Sequence, residues 1–443
     1  MSDTILLFAA DVKDYGGGAN DGELMYLAQH LFNNGFYVKI LDNYKNPNND
    51  TYNYIKNVNP DVIIVDLWKN ELLDDNRIKY ILDFLKVVKD GVKVKEIIGF
   101  GNIATSLFKE IFYYNDAIDF IVSEKNIFNR KTKSHTNNLP ILQEYLKTFC
   151  KLTEDFFRNI NLTFDSTDII SLYSSRGCQR TCSFCSYNNN LSYGWKERKI
   201  QDLVTDIRTL NKIWGVTCFA LFDNNFGLNK SKNRERASHL AEGIKTLDFS
   251  PTLSLNISLE GLTKSILDDL AKASVKYILV GIESLNQQTL RNVYNKSQII
   301  NHSIEMINYA ERIGIIPVVS YILFHPYLTM SDLNTEIDKI ERFGRYRIIQ
   351  FIANSKLQVI PGTPIEQRLK EDGLLIERLF YRDFIFKDKK VERLYYTIKQ
   401  FFTENFSQRN GSLNSIANFK IEEWKYFRAL FEKISYEQPT ITI

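Results

Sequence analysis

With 443 residues, 44% of them hydrophobic and 13% aromatic, the chain exceeds the needs of one core and has room for two or three domains of roughly 100 to 200 residues each. Its 56 lysines and arginines against 53 aspartates and glutamates leave a net charge of +3, which gives no reason to expect a nucleic-acid or membrane-surface partner. No apolar run approaches the ~20 residues of a bilayer span, Met1 to Ala10 has no basic leader, and an odd five cysteines do not form a secreted disulfide framework, so a reducing cytoplasm is expected.

Taken in chain order, residues 1–125 alternate short apolar strands with amphipathic helices, at Ile5 to Ala9, Tyr37 to Leu41, Val62 to Leu67, Glu96 to Phe100 and Phe120 to Val122. That alternation predicts a small doubly wound domain. Residues 126–168 begin polar, with RKTKSHTNN from Arg130 to Asn138, and then read as helix around Leu142 to Ile160, an inter-domain linker. From 169 to 375 the βα alternation restarts, with strands expected at Ile169 to Tyr173, Val216 to Phe222, Thr252 to Ile257, Lys276 to Ile282, Ile315 to Phe324 and Ile348 to Ile360 and helices such as Ile200 to Trp214 and Ser331 to Phe343. Six parallel strands fit a partial barrel. Residues 376–443 turn helical and aromatic without a glycine-rich or metal-ligand motif.

The first strand of the second region runs into Tyr173-Ser-Ser-Arg176-Gly-Cys178-Gln-Arg-Thr-Cys182-Ser-Phe184-Cys185. A loop at the carboxyl end of a barrel strand is where such folds place chemistry. Three thiolates spaced CxxxCxxC can each take one iron of a cubane and leave the fourth iron without a protein ligand, whereas a ferredoxin cluster or a structural zinc site closes with four. Closure by Cys218 or a histidine, as in a zinc or ferredoxin-like protein without catalysis, is the competing reading; Cys218 lies mid-strand among apolar neighbours and reads as a core thiol.

Over about Ile169 to Leu375 the sequence resembles the radical S-adenosylmethionine superfamily, whose signature is this cysteine spacing with an aromatic before the last cysteine. The resemblance implies that Cys178, Cys182 and Cys185 hold a 4Fe-4S cluster, that the open iron chelates the amino and carboxylate groups of S-adenosylmethionine, and that Phe184 contacts the adenine. It also implies an external one-electron donor of the flavodoxin or ferredoxin type, and a 5′-deoxyadenosyl radical that abstracts hydrogen from substrate. Polar residues follow the strands in turn: Ser174 with Arg176, Asp223 to Asn225, Asn256 with Ser258, Glu283 with Ser284, and His325. LFDNNF, VGIES and VIPGTPIEQRLKEDGLL are similar to family segments, and by that similarity Arg176, Asp223, Asn256 and Glu283 are candidate cofactor contacts. The same residue types also cap helices in any βα protein, which is the better account of Ser258 and Ser331. His325 in YILFHPYLT stands where the cobalamin-linked subclass carries an aspartate, and is the candidate catalytic side chain.

In the first region, Asp11-Val-Lys13-Asp-Tyr-Gly16 falls between the first strand and helix, where cobalamin-binding Rossmann-like domains carry DxHxxG. Asp11 and Gly16 fit; Lys13 replaces the cobalt-ligating histidine, and an ammonium has no lone pair for a metal. Asp66-Leu-Trp68 stands where such domains carry Ser-x-Leu. Gly99-x-Gly101-x-x-Ala104 stands where they carry Gly-Gly, and it also suits a phosphate at a helix N-terminus. The resemblance therefore implies an α/β chain: a Rossmann-like, cobalamin-binding-type domain, a partial (β/α)6 TIM-type barrel and a helical C-terminal region. It implies cobalamin as a cofactor, or a vestigial first domain.

Two enzymatic readings follow. One is cobalamin-type methylation or rearrangement of an unactivated C-H site in natural-product or peptide biosynthesis; the other is a cobalamin-independent peptide epimerase or cyclase. Either takes a small-molecule or peptide substrate. A transfer-RNA methylthiotransferase lacks support, since only Cys150 stands upstream of the motif.

Overall fold

Apolar strands separated by amphipathic helices fold here into two parallel sheets in succession. The computed structural model describes residues 3–9, 22–42, 49–67, 75–123, 126–130, 138–160, 162–186, 194–406 and 413–436. In the first sheet β1 (Thr4–Ala9), β2 (Tyr37–Asp42), β3 (Val62–Asp66), β4 (Glu96–Phe100) and β5 (Phe120–Val122) run parallel in the order β2-β1-β3-β4-β5, and β6 (Ile127–Asn129) adds antiparallel at the edge. Between them lie α1 (Gly22–Asn33), α2 (Asn49–Val58), α3 (Asp75–Gly91), α4 (Asn102–Ser106) and α5 (Phe108–Tyr114). Strand alternation separates the two faces: Ile5 and Leu7 enter the core shared with Leu24, Leu27 and Leu31 of α1, while Leu6 and Phe8 enter the one shared with Ile78, Leu82 and Leu85 of α3. Strand order reverses between β1 and β3, where open sheets of this kind form a crevice at the carboxyl ends of the strands. Ala9, Asp66 and Phe100 stand side by side there.

The segment expected as a linker with one helix holds β6 and two helices, α6 (Asn138–Lys147) and α7 (Glu154–Asn159). The chain breaks between them because its amides are taken elsewhere: Leu152 N–H donates to Asp206 and Thr153 N–H to Gln29, each at 2.9 Å, while the Thr153 hydroxyl caps α7 at Phe156. Leu139, Leu142, Leu152 and Phe156 join α1 and the second sheet in one continuous core.

That second sheet follows β7 (Ile169–Leu172), a short antiparallel pair β8 (Ser175–Arg176) and β9 (Lys196–Glu197), α8 (Ile200–Trp214), β10 (Cys218–Leu221), α9 (Lys230–Ile244), β11 (Thr252–Asn256), α10 (Lys264–Lys272), β12 (Val275–Glu283), α11 (Gln287–Asn292), α12 (Ile300–Arg312), β13 (Ile316–Tyr321) and α13 (Met330–Phe343). The parallel order is β7-β10-β11-β12-β13, five strands in sequence order. The expected sixth strand at Ile348 to Ile360 is instead an irregular segment touching the sheet by two isolated bridges, Val319 to Ile348 and Phe324 to Lys356. Side chains have taken the backbone groups a ladder needs. Glu423 accepts the N–H groups of Ile352 and Ala353 at 2.8 and 2.9 Å, Arg345 donates to the carbonyls of Ile348 and Gln350, and the Gln350 side chain accepts Tyr321 N–H.

The remainder is α14 (Pro364–Glu371), an antiparallel pair β14 (Leu375–Glu377) and β15 (Arg382–Phe384), and the helices α15 (Lys389–Phe406) and α16 (Leu413–Tyr436) that supply Glu423. Among the described residues no helix is long and apolar enough to cross a membrane. Glu423 is fully buried, so Glu423→Leu leaves two buried amides without an acceptor and is expected to cost about 2–5 kcal/mol in urea unfolding, with Glu423→Gln costing less because its carbonyl still accepts. Equal midpoints for the leucine variant and the wild type would contradict this account of the sixth position.

Candidate active site

The three cysteines lie on the loop that leaves β7, and that loop is held at both ends. On its entry side Asp223, just past β10, accepts the N–H groups of Ser174 and Ser175 at 2.7 and 2.9 Å and also the Ser174 hydroxyl. Asn224 accepts Gly177 N–H at 2.8 Å, one residue before Cys178. Gly177 has φ +79°, and a Cβ there would stand 2.2 Å from the Gly194 carbonyl oxygen, so the close approach of the two backbones admits no side chain. Behind Asp223 the buried Arg236 donates to the Ser174 carbonyl at 2.8 Å and to Phe226 at 2.9 Å. On its far side Asn295 donates to the Thr181 carbonyl at 2.7 Å, Ser183 N–H to Tyr294 at 3.0 Å, and Ile365 N–H at the start of α14 to Ser183 at 2.9 Å.

Burial raises the pKa of the Cys182 thiol, opposed first by Lys296, while Cys178 and Glu283 add to the rise. Burial lowers that of Arg180, opposed by Cys178 and Cys182. Two cations therefore stand beside the thiols. Arg180 pairs with Glu260 and donates to the Ser258 hydroxyl at 2.9 Å; Lys296 donates to the Gly281 carbonyl at 2.9 Å and to Glu283 at 3.3 Å. Neither Arg180 nor Lys296 is among the residues read from the sequence; Arg180 lies inside the cysteine spacing, whereas Lys296 follows a loop with no pattern. Glu283 has φ +59°, uncommon for a residue with a side chain, at a register break in the pairing of β12 with β13. Its carboxylate folds back over Gly281, where a Cβ would lie 2.1 Å from Oε1.

The other candidates separate. Asn256 donates to the Asp223 carbonyl at 3.0 Å, so it joins the strand-end network. Asp223 itself is buried against the loop backbone; burial raises its pKa and Arg236 opposes the rise. Arg176 reaches away from the cysteines to the carbonyls of Tyr145 and Thr148 and to Glu23 of α1, with its guanidinium 4.4 Å from the centre of the Tyr145 ring. Phe184 meets Tyr294 edge-on at 5.5 Å, and Tyr294 meets His325 edge-on at 5.8 Å, so His325 stands behind the aromatic pair in packed surroundings. Gly99 packs in β4, where a Cβ would meet Ile121 at 3.2 Å; Gly101 turns the chain into α4 at φ +115°. Asp11, Lys13 and Gly16 lie outside the described residues.

Three thiols on one loop with two nearby cations match the donor set and charge of a cubane cluster. Each thiolate of a cubane binds a separate iron, and among the described residues no three histidine, cysteine or carboxylate side chains converge on a single ion. The remaining cysteines are placed elsewhere. Cys218 opens β10, about 13 Å of strand below Phe222, half-buried on the inward face where strand parity puts it, not in the core. Cys150 donates to the Tyr26 carbonyl at 3.3 Å, and burial pushes its thiol up to about 12.

Asn224→Ala is expected to weaken cluster retention by ~10-fold on desalting, the size of effect seen when groups behind metal ligands are lost, while far-UV dichroism stays unchanged. Unaltered iron and sulfide content would show that Asn224 does not position the loop. Burial lowers the pKa of His325 from 6.5 to about 4. Between those values the folded chain binds fewer protons than the unfolded one, so stability falls as pH drops through that window, by about 3 kcal/mol for a shift of this size. His325→Phe should flatten that part of the curve of urea midpoint against pH; a slope equal to that of the wild type would assign it to other groups.

Residues 172–340 match the model of the Radical SAM superfamily. The bacteriochlorophyllide d C-8(2)-methyltransferase of Chlorobaculum tepidum is 26% identical over 272 residues, 57% of each chain, and this chain spans about half the length of the curated relatives it matches. Among solved structures, the cobalamin-dependent S-adenosylmethionine radical enzyme OxsB, with aqua-cobalamin and S-adenosylmethionine bound, superposes with a TM-score of 0.73 over 98% of this chain and 72% of that one at 12% identity. The radical S-adenosylmethionine methyltransferase TsrM of Kitasatospora setae, with cobalamin and a [4Fe-4S] cluster bound, gives 0.64 over 84% and 78% at 13% identity, so both share the fold. The cysteine loop, the Asp223, Asn224 and Asn295 side chains that hold it, and β10 to β13 all fall at the matched residues, so residues 172–340 form a radical S-adenosylmethionine domain, set behind a doubly wound domain.

Proposed function

We propose that this chain is a cobalamin-type radical S-adenosylmethionine enzyme that methylates or rearranges an unactivated C-H site of a small molecule in a reducing cytoplasm, with an external one-electron donor. The observation that carries this reading is the count of sulfur ligands on the loop: Cys178, Cys182 and Cys185 share the segment after β7, and both other cysteines lie on other elements, Cys150 against α1 and Cys218 at the start of β10. When bound, a cluster held by these three thiolates would leave one iron open to the amino and carboxylate groups of S-adenosylmethionine and would supply an electron to its sulfonium.

The protein's part is placement, charge and dryness. Asp223, Asn224 and Asn295 fix the loop backbone and so the spacing of the thiols. Arg180 and Lys296 offset the negative charge that thiolates bring into a half-buried place. Glu283, turned inward over Gly281 and accepting from Lys296 and Ser320, offers a carboxylate to an amino group at the top of the sheet. Phe184, braced edge-on by Tyr294, offers an aromatic ring to a purine. The switch point beside Ala9, Asp66 and Phe100 would hold a corrin, and Lys13, which takes the histidine's place in the sequence motif, would offer cobalt no lone pair. The fold shared with OxsB and TsrM supports this, as does the methyltransferase name of the bacteriochlorophyllide relative.

After anaerobic reconstitution with iron and sulfide, the reduced chain plus S-adenosylmethionine is expected to yield 5′-deoxyadenosine. Replacing any one of the three cysteines by alanine should lower the yield at least ~100-fold, since one lost anchor dismantles the cluster. Absence of 5′-deoxyadenosine from the wild type sinks the enzymatic reading. Titration with hydroxocobalamin tests the rest: failure to retain any corrin removes the methylase version and leaves a radical enzyme that works without it.

A further inference from the structure

The inward face of the second sheet is unlike the interior of a closed barrel, where layers of inward side chains fill the space. Alternation along each strand assigns the faces: Phe219 and Leu221 of β10, Ile278, Val280 and Ile282 of β12, and Val319 and Tyr321 of β13 are buried under the outer helices. The opposite set is open. Phe222 is 53% exposed, Ile316 44%, Tyr277 41% and Leu279 40%. Register places Tyr277 beside Ile316 and Leu279 beside Val318, and Asn256 of β11 stands level with Leu279, between it and the Phe222 end of β10. It stays uncovered because the sixth position carries two bridges in place of a strand, with Ile349 there 48% exposed.

Two features give this trough a direction. Below Glu283 no inward position of the five strands carries a charge. At the upper end stand Asn256, bonded to the Asp223 carbonyl, and the Glu283–Lys296 pair, and Lys296 directly follows Asn295, which donates to the carbonyl of Thr181, the residue before Cys182. The trough thus runs up to the cysteine site, charged at the top and uncharged below, with apolar side chains on β12 and β13 and the hydroxyls of Ser171, Thr252 and Ser254 on β7 and β11.

We propose that the trough binds the carbon skeleton of a hydrophobic small-molecule substrate, uncharged along the part that lies on Phe222, Tyr277, Leu279 and Ile316, with its reacting carbon directed toward the cysteine loop. This rests on the radical-enzyme reading and adds the substrate class to it. A peptide is disfavoured as the occupant. The ladder between neighbouring strands already uses the backbone hydrogen-bonding groups of the sheet interior, so a peptide cannot add to it as a further strand there and finds only the hydroxyls of Ser171, Thr252 and Ser254 as partners. Exposed apolar surface of this extent at a binding site contributes in proportion to the area covered.

The uncharged fluorophore N-phenyl-1-naphthylamine serves as probe, titrated anaerobically into the reconstituted full chain. Leu279→Glu and Ile316→Lys should each weaken its binding by at least about tenfold, because a charge placed on the trough must stay hydrated. Val87→Glu, a charge added on α3 of the first domain at a residue 58% exposed, should not change it, and thermal melts report whether each variant is folded. Decanol should displace the probe and a neutral tetra-alanine peptide should not. Wild-type affinity in folded Leu279→Glu and Ile316→Lys, or displacement by the peptide in preference to decanol, overturns the assignment. A wild type that binds the probe but makes no 5′-deoxyadenosine fails the enzymatic reading alone, and one that makes 5′-deoxyadenosine but binds the probe indifferently to these variants fails the substrate class alone.

Discussion

Capture of the cysteine loop's backbone amides by the side chains at the top of β10 is the interaction on which the site depends. A loop that must hold three thiols at fixed spacing cannot also make a regular ladder, and its N–H groups are buried where water does not reach. Asp223 and Asn224 take three of those amides from a rigid strand end. A buried carboxylate is costly to desolvate, and the cost is offset only because Asp223 accepts two backbone N–H groups and the Ser174 hydroxyl while the Arg236 charge lies behind it. Such a network is stable when complete and fragile when one member goes. The same geometry explains why Asp223 touches backbone and not a cofactor: its position is set by what the loop lacks.

Two arginines flank the cysteine loop, and both reach the first domain. Arg176, two residues before Cys178, engages Glu23 and the carbonyls of α6 and the turn after it; Arg198, just past β9, forms a buried pair with Asp206 at 2.6 Å and donates to Tyr26 of α1 at 2.8 Å. Tyr145 also donates to Glu23 at 2.6 Å. Because α1 also shares its apolar core with the second sheet, the first domain is seated by packing and oriented by charge. On the opposite side the buried Arg382 ties Glu110 of α5 to Glu366 of α14. Shared packing and the buried ion pairs therefore tie the first domain to the element that carries the cysteine loop.

Much of this was legible in the residues. Short apolar runs located every strand of both sheets except β6 and the short pairs, and Glu96–Phe100 and Phe120–Val122 fall where expected because parallel strands buried on both faces leave an unbroken apolar signal. The segment from Ile348 to Ile360 carried the same signal and is no strand: the decisive carboxylate, Glu423, lies on α16 some seventy positions away, and periodicity does not register a side chain arriving from another element. Residue type at strand ends pointed to Asp223, Asn256 and Glu283 but could not separate a group aimed at a ligand from one aimed at backbone. Arg176 and Lys296 illustrate the limit in both directions. The first sits beside the motif and faces the neighbouring domain; the second sits more than a hundred residues downstream and stands beside Cys182.

The unusual backbone at Glu283 links the polar and apolar halves of the site. A regular continuation of β12 would keep Glu283 in register with β13, but the register breaks between Gly281 and Glu283, and Glu283 takes a conformation that side-chain-bearing residues rarely adopt. Strain of this kind costs of order 1–3 kcal/mol and persists only where surroundings enforce it. Here Lys296 and Ser320 hold the carboxylate, Gly281 leaves the space it folds into, and the Glu283 carbonyl still accepts Ile322 N–H at 2.9 Å. The result is a carboxylate lying across the upper limit of an otherwise uncharged face. A molecule with one polar end and one apolar end has only one favourable way to lie on such a surface, so for the substrate class proposed for the trough the bulge would set which end lies nearest the cysteine loop.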